Sequence, residues 1–371
     1  MIGLFYPLIL FVLSILYAAL AAVLLIGTYR LKAFRSRERP SVSVVVAARD
    51  EEKHLPKCLE ALLCQTYPRE LYEIIVVDDR SCDETGVIVE GYGARNPQVK
   101  GVTVSEEPRT LSGKQNALIE GLSVSSGTIF VNTDADCVVP ETWIEELVAR
   151  FDSETGLVAG MSVAEGRGWF YRLQALDLLF LQTVAGGFCG LGKPMSCIGN
   201  NLAYRREAYE SCGGFEKIGF SVTEDTALLR AIHGTGRWKV VFQVGPRSAV
   251  SCGGTDSLGA FFRQRKRWMV GGYKTEPFLY ITLQGVFWFH LLMILSIPLL
   301  GFIRYPSLIA ASWILAFLSD GMLLLRGCSW VRRRDLLRYL PLYEIFYMIY
   351  TVVLGFARVG GRQVHWKGRT Y

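Results

Sequence analysis

Residues 129–136 read IFVNTDAD, and this stretch decides the fold because an uninterrupted apolar run ends in two carboxylates one residue apart. A short run of this kind is typical of a strand that is buried on both faces of a parallel sheet. In open α/β sheets, ligands bind beyond the carboxyl ends of such strands. Asp134 and Asp136 therefore stand where a site is expected, although an isolated Asp-x-Asp is more often a solvated turn.

Short β-branched runs alternate with amphipathic stretches on both sides of this segment. The predicted strands are 42–47, 74–77, 99–104, 129–132 and 157–161, and the predicted helices are 53–64, 114–123 and 142–151. This alternation predicts an α/β domain over residues 41–270 with a Rossmann-like, mostly parallel sheet that is covered on both faces. Inside it, the apolar segment 169–188 is either a buried core helix or an interfacial helix in the lipid headgroup layer.

The N-terminal segment, residues 2–28, is apolar and carries no charge. It is long enough, at about 1.5 Å per residue, to cross a hydrocarbon layer of about 30 Å. We interpret residues 1–28 as a transmembrane anchor. A cleaved signal peptide is the alternative, but basic residues would then precede the apolar stretch, whereas Arg30, Lys32 and Arg35 follow it. This order predicts an N-terminus outside the cell and a cytoplasmic domain after the anchor.

A second membrane region is predicted over residues 278–371. Segments 278–303 and 306–325 form a predicted transmembrane hairpin, because only two residues separate them. The basic loop 326–338 then returns to the cytoplasm. Segment 339–356 is apolar but is followed by several basic residues, so it is either a re-entrant segment with a cytoplasmic C-terminus or a fourth span.

Charge and motif content argue against several classes of protein. The net charge of +6 comes from basic residues beside the apolar segments, where membrane topology places them, so no nucleic-acid partner is expected. The nine cysteines include no CxxC pair, which argues against a structural zinc site. The chain has no GxxxxGK[ST] sequence and no GxGxxG after its first strand, which argues against an NTPase and a dinucleotide oxidoreductase.

Further polar clusters follow the other predicted strands. AARDE at residues 47–51 follows the first strand, and Asp78 and Asp79 follow the second, where two adjacent carboxylates are costly unless they bind something. Lys114 opens a helix, where a cation and helix amides can meet an anion. Asp136, next to Asp134, offers the oxygen ligands that Mg²⁺ or Mn²⁺ prefers when it bridges a diphosphate.

Two later clusters complete the set of candidate residues. Glu224 and Asp225 offer an acid that could deprotonate a hydroxyl. The sequence QRKRW at 264–268 offers a guanidinium that could neutralise a diphosphate and an indole that could stack on a sugar. The alternative is that the basic residues 265–267 form only a charge patch before the membrane region.

The order and spacing of these clusters resemble family-2 glycosyltransferases of the GT-A fold, over roughly residues 41–270. The resemblance rests on the paired Asp after the second strand, the Asp-x-Asp, TED at 223–225, QRKRW at 264–268 and GNNLAYR at 199–205. It implies an inverting transfer of a hexose, glucose or N-acetylhexosamine, from a UDP-sugar to a hydroxyl acceptor, with Mg²⁺ or Mn²⁺ as cofactor. It also implies a role for each matching residue. The implied donor-binding residues are Ala47, Arg49, Glu51, Asp78, Asp79, Lys114, Asp134, Asn201 and Gln264. The implied metal ligand is Asp136, and the implied acceptor-binding residues are Glu224 and Trp268. The implied catalytic residues are Asp225, as the general base, and Arg267, which would lie at the departing UDP.

The resemblance extends to two kinds of acceptor. The C-terminal sequence VHWKGR at 364–369 is similar to bacterial ceramide-, hopanoid- and carotenoid-type lipid glycosyltransferases. A membrane lipid is therefore the expected acceptor, at the cytoplasmic face of a bacterial inner membrane. A processive synthase of the poly-N-acetylglucosamine or hyaluronan type is the alternative and would require a homo-oligomer or a partner, because three or four spans are few for a lined pore. A catalytically silent membrane scaffold is a further alternative, against which the intact Asp136, Asp225 and Arg267 argue.

Overall fold

The computed structural model describes residues 2–31, 34–105, 113–273 and 277–357, together with 365–366 and 369–370. Its strands are β1 (Val42–Ala48), β2 (Tyr72–Asp78), β3 (Val99–Thr103), β4 (Ile129–Asp134), β5 (Cys137–Val138), β6 (Thr155–Ala159), β7 (Ser162–Glu165), β8 (Leu202–Arg205), β9 (Lys239–Phe242), β10 (Val250–Gly253), β11 (His365–Trp366) and β12 (Arg369–Thr370). Its α-helices are α1 (Ile2–Tyr29), α2 (Leu55–Leu63), α3 (Thr85–Arg95), α4 (Lys114–Ser123), α5 (Trp143–Val148), α6 (Trp169–Gly190), α7 (Arg206–Ser211), α8 (Gly214–Ile218), α9 (Glu224–Gly234), α10 (Leu258–Tyr273), α11 (Pro277–Leu299), α12 (Pro306–Trp330) and α13 (Leu340–Ala357).

The main sheet has seven strands in the order β3-β2-β1-β4-β8-β6-β9. All neighbouring pairs are parallel except those of β8, which runs antiparallel to both β4 and β6. The predicted α/β class and mostly parallel sheet are therefore confirmed. β4 extends two residues beyond the predicted strand, so Asp134 is its last residue, and Ala47 of β1 lies opposite it in register.

The sheet is covered on both faces because its inner strands alternate apolar side chains between two cores. Val45, Ile75 and Val77 pack into one core, which also contains α4 and α6. Val44 and Val76 pack into the other core, with α2 and α5. Burying both faces of β1 and β2 explains why these strands read as continuous apolar runs.

A second, three-stranded sheet of order β5-β10-β7 lies beside the first and was not predicted. Its strands are only two to four residues long, which is too short for a pattern of alternation to be recognised. β5 begins directly after Asp136, and Cys137 pairs with Cys252 of β10. This pairing fixes the chain on the carboxyl side of the Asp-x-Asp.

Five helical segments in the described part of the chain are long and apolar enough to cross a membrane by length and composition. They are Phe5–Tyr29, Trp169–Gly190, Tyr280–Phe302, Pro306–Trp330 and Arg334–Ala357. Large apolar side chains on the outer faces of α1, α11 and α13 are exposed, including Leu16, Ile281 and Phe356. A soluble surface rarely exposes such extended apolar faces, so these helices indicate association with a membrane.

Helix α6, predicted at 169–188, is mostly buried by protein rather than open to lipid. It packs against β7 on one side and against α1, α12 and α13 on the other. The backbones of α1 and α6 touch near the end of α6. A Cβ added to Gly27 would collide with the carbonyl of Gly187, and a Cβ added to Gly190 would collide with the carbonyl of Gly27. Small residues permit this close approach. The burial of α6 favours the alternative of a core helix over an interfacial one. The contacts of α6 also join the α/β domain to the apolar helices.

The segment predicted at 339–356 is a continuous helix, α13, which packs against α11. Half of the C-terminal sequence at 364–369, namely residues 364, 367 and 368, lies outside the described residues, as do the basic residues at 358 and 362.

Candidate active site

A cavity of about 450 Å³ lies beyond the carboxyl end of β4, between the α/β domain and the apolar helices. Several predicted site residues line it together, although they come from four separate parts of the sequence. These residues are Lys114, Asp134, Asp136, Glu224, Asp225, Gln264, Arg267 and Trp268. The end of β4 therefore borders a cavity, at the place where the sequence pattern predicts a site.

Lys114, the first residue of α4, lies between two carboxylates. Its Nζ is 2.5 Å from Oδ1 of Asp134 and 3.3 Å from Oε1 of Glu224. Burial works to lower the pKa of this ammonium, but the two carboxylates outweigh burial and raise the pKa above its usual value. Lys114 is therefore a fixed positive charge at the floor of the cavity, where an anionic group of a ligand would meet it.

Asp225 lies in the first turn of α9 and is the carboxylate best suited to exchange a proton. Its Oδ1 accepts a hydrogen bond from the backbone N–H of Thr226 at 2.7 Å. Desolvation, and then the neighbouring charge of Glu224, raise its pKa to about 6, although Lys114 and Arg267 act in the opposite direction. A carboxylate with such a pKa is mostly ionised at neutral pH and still basic enough to accept a proton.

Gly199 permits this arrangement. A Cβ at this position would lie 3.2 Å from Oδ2 of Asp225 and 3.4 Å from Nζ of Lys114. The absence of a side chain thus allows the carboxylate and the ammonium to converge on one backbone segment.

The Asp-x-Asp offers a donor set that suits a hard divalent cation. Ligand atoms of Asp134, Asp136 and Cys137 lie within 4.8 Å of one another. Hydrogen bonding to Cys252 and burial raise the pKa of the Cys137 thiol well above its ordinary value, so the sulfur stays protonated. Asp134 is already paired with Lys114, which leaves the exposed carboxylate of Asp136 for a metal. A free carboxylate with no thiolate beside it fits a hard cation such as Mg²⁺ or Mn²⁺ rather than a soft metal.

The five predicted residues from the ends of β1 and β2 flank this cavity, and among the described residues they do not contribute to its lining. Asp79 is buried, and its carboxylate lies 3.2 Å from Arg80 and 4.0 Å from Arg49. Ala47 and Asp78 lie at the ends of the neighbouring strands β1 and β2. The negative charge of Glu51 is close enough to Asp136 to help raise the pKa of the Asp136 carboxyl. These residues form a polar shelf beside Asp134, at the neighbouring strand ends of the sheet.

Two loops are fixed against each other at this shelf. The backbone N–H of Glu51 donates to Thr85 at 2.8 Å, and that of Cys82 donates to Asp50 at 2.8 Å. Asp50 and Arg80 both adopt left-handed backbone conformations, with φ of 52° and 58°. Such conformations carry strain and tend to persist at ligand sites, where surrounding contacts hold them.

The sequence QRKRW lies on α10, and the alternative of a simple charge patch is wrong for Arg265. Its side chain is buried, and its Nε donates to Oδ2 of Asp177, on α6, at 2.6 Å. The hydroxyl of Tyr350, on α13, donates to the other oxygen of the same carboxylate. The guanidinium lies 4.4 Å from the ring centre of Phe261 and 4.2 Å from that of Trp268. Arg265 therefore fixes α10 to two helices and holds Trp268 at the cavity wall.

Asn201, predicted as a donor-binding residue, is not among the described residues that line the cavity. Its side chain is fully buried beneath the cavity. Its amide oxygen accepts a bond from the indole of Trp143 at 2.9 Å, and its amide nitrogen donates to the carbonyls of Met161 and Ser248 at 2.6 and 2.8 Å. These bonds commit the amide to the core, whereas the preceding Asn200 lines the cavity.

The sequence analysis also missed residues that line the cavity. Thr223, Thr226 and Arg230 all line it; Thr223 directly precedes α9, and the spacing of four residues places Thr226 and Arg230 on one face of that helix. That spacing was a usable signal. Apolar residues of α11 and α13 also line the cavity, but their sequence indicated only membrane helices.

Comparisons with known proteins agree with this geometry. The model of the glycosyl transferase family 2 matches residues 43–213, and that of the glycosyl transferase family group 2 matches residues 129–357. The beta-monoglucosyldiacylglycerol synthase of Synechocystis is 31% identical over 289 residues, which are 74% of this chain and 58% of that protein. The synthase of the same name from Nostoc is 30% identical over 244 residues, which are 63% of this chain and 49% of that protein. The chain thus spans about half the length of these relatives.

A solved structure shows the same fold. The mannosyltransferase PcManGT from Pyrobaculum calidifontis, in complex with GDP-mannose and Mn²⁺, matches 93% of this chain and 98% of its own, with a TM-score of 0.56 and 20% identity. The mixed sheet with an Asp-x-Asp at the end of a central strand defines a GT-A fold. The chain belongs to glycosyltransferase family 2, whose members are inverting hexosyltransferases.

Proposed function

We propose that this enzyme transfers a hexose, with inversion, from a UDP-sugar to the hydroxyl of a membrane lipid at the cytoplasmic face of a bacterial inner membrane. One observation carries the proposal: a single cavity is lined on one side by the charged residues of the strand ends and on the other by the apolar helices α11 and α13. A ligand in this cavity can place a hydroxyl at Asp225 while its apolar part faces the membrane helices. The names of the two curated relatives support a glucosylated diacylglycerol as the product.

The donor would occupy the shelf and the floor of the cavity. Asp79, with Arg49 and Glu51, would bind the uracil and ribose beside Ala47 and Asp78, and Asp134 and Lys114 would lie near the ribose and diphosphate. The cationic Lys114 can approach the diphosphate because its ammonium is fixed at the end of β4. Gln264 lines the same cavity from α10 and completes the set.

Asp225 would act as the general base. Its carboxylate would take the proton of the acceptor hydroxyl while the hydroxyl oxygen forms a bond to the anomeric carbon and the bond to the UDP oxygen breaks. Arg267, on the same cavity wall, would stabilise the negative charge that develops on UDP. Trp268 and Glu224 would orient the acceptor. A single displacement inverts the anomeric configuration, so an α-linked donor gives a β-linked product.

Asp136 would hold Mg²⁺ or Mn²⁺ together with the donor phosphates. When bound, the metal would supply positive charge to the diphosphate and make UDP a better leaving group.

The arrangement of the membrane helices supports a cytoplasmic site. We propose that α1, α11, α12 and α13 are the membrane helices, and that the buried α6 connects them to the catalytic domain. Basic residues after α1 and after α12 then lie on the cytoplasmic side, as the positive-inside rule requires.

Expression in a bacterial host without glycolipids tests this function. We expect the lipid extract to contain a new hexosylated lipid by mass spectrometry, and we expect the extract from cells carrying Asp225→Asn to lack it. The variant Glu210→Gln, which changes an exposed carboxylate on α7, serves as a matched control. If wild type and Asp225→Asn gave identical lipid extracts, the proposed function would be wrong.

A further inference from the structure

The active-site cavity continues past the catalytic groups into an apolar arm between α6, α11 and α13. We define this apolar arm by six side chains that line it: Val184, Phe188, Leu283, Val286, Phe287 and Leu354. Asp225, Arg267 and Trp268 line the same cavity, so the arm opens directly onto the catalytic groups.

Two polar side chains that line the cavity beside the arm, Thr351 and Gln182, are already hydrogen-bonded within the protein. The hydroxyl of Thr351 donates to the carbonyl of Tyr347 at 2.8 Å and lies 2.9 Å from Nδ1 of His290. The amide of Gln182 donates to the carbonyl of Ser162 at 2.8 Å and accepts from its N–H at 2.6 Å. A sugar chain in the arm would lose hydrogen bonds to water without finding replacements, whereas a hydrocarbon chain would lose none.

Helix α11 separates the arm from the exterior. Val286 and Phe287 line the arm, while Ile281 and Trp288 of the same helix are 66% and 56% exposed on its outer face. The ring of Phe287 packs across to α13 at Gly355, where a Cβ would collide with it. Gly355 thus allows Phe287 to pack directly against α13, and α11 lies between the arm and the exterior.

We propose that the apolar arm holds one hydrocarbon chain of a two-chain glycerolipid acceptor while the free hydroxyl of the lipid reaches Asp225. This inference rests on the proposed function and names the feature of the acceptor that the site recognises. Asp225 lies on α9, outside the helices long and apolar enough to cross a membrane, so a lipid hydroxyl that reaches it draws the first methylenes of its chains out of the hydrocarbon layer. Each methylene exposed to water on this path lowers binding about fourfold, and the arm removes that penalty for one chain.

A chain-length comparison tests the arm. Purified enzyme in mixed micelles is given radiolabelled UDP-glucose with either dioleoylglycerol or the water-soluble dihexanoylglycerol. Val286→Trp fills the arm, and we expect it to lower kcat/KM for dioleoylglycerol at least tenfold more than for dihexanoylglycerol, with the KM for the donor unchanged. Ile281→Trp adds the same ring to the outer face of α11 and should leave both acceptors unaffected.

Photo-crosslinking of the wild-type enzyme gives an answer that does not depend on any variant folding. A diacylglycerol with a diazirine in the middle of one chain should label peptides of α11 and α13 that carry Val286 and Leu354. Equal effects of Val286→Trp on the two acceptors, or labelling confined to the outer face of α1, would overturn the proposed arm while leaving lipid glycosylation intact. If the wild type glycosylated neither diacylglycerol, the glycerolipid acceptor would be overturned, while the lipid extracts of expressing cells would still decide the proposed function.

Discussion

The substitution Asp225→Asn tests the role of the base most directly. The amide keeps the size of the side chain and its bond from Thr226, but it cannot accept a proton. General bases contribute about 10²–10⁴-fold to rate, so we expect kcat to fall by that factor. The groups proposed to hold the nucleotide lie on other elements, so the Kd for UDP should change by less than about threefold, which is about half of the 1.4 kcal/mol that a tenfold change represents.

The pH dependence of kcat/KM in the wild-type enzyme provides a second quantitative test of Asp225 as the base. With a pKa of about 6, Asp225 is about one tenth ionised at pH 5 and about nine tenths ionised at pH 7. A raised carboxyl pKa means that the active, ionised form is lost as pH falls through 6, so kcat/KM should drop about tenfold between pH 7 and pH 5. Initial rates with radiolabelled donor and isothermal titration with UDP measure both effects. A flat profile over this range, or an Asp225→Asn variant with turnover within about fivefold of wild type, would refute the assignment.

Three further substitutions have defined outcomes. Asp136→Ala should abolish the dependence of donor binding on Mn²⁺, measured by titrating UDP with and without the metal, and an unchanged response would place the metal elsewhere. Asp177→Asn leaves the buried guanidinium of Arg265 without its counter-charge, so we expect the free energy of unfolding to fall by about 3–5 kcal/mol. An unchanged thermal midpoint would show that this ion pair does not stabilise the protein. Gly190→Leu should separate α1 from α6 and lower the thermal midpoint, while the same change at Gly234, where an added Cβ meets no atom within 4 Å, should have a much smaller effect.

Much of the fold could be predicted because its signals are local. The strands β1, β2 and β4 bury both faces, so each appears as an apolar run that ends in polar residues. Parallel strands align their carboxyl ends, and the sheet order therefore brings Asp78 and Asp134 to the same edge. The strands of the second sheet are too short to carry such a signal, and their pairing depends on contacts distant in sequence.

Part of the site could not be predicted, because the type of a residue does not show which other residue or ligand its side chain contacts. Asn201 has the donors and acceptors that a ligand site needs, but the fold uses all of them in the core. Arg265 is the first of three consecutive basic residues, and only the packing of α10 against α6 and α13 shows that it is buried. The contribution of α11 and α13 to the cavity is likewise a tertiary feature, since their sequences specify only apolar helices.

We propose that one cavity joins a nucleotide-sugar site to a lipid site, and a partition assay of the reaction product tests this proposal. Membranes that contain the protein are incubated with radiolabelled UDP-glucose and Mn²⁺, and the product is divided between organic solvent and water. The account predicts label in a single organic-soluble species that is absent with Asp225→Asn. Label in a large, water-soluble polymer that glycosidases degrade would contradict it and identify a processive synthase instead.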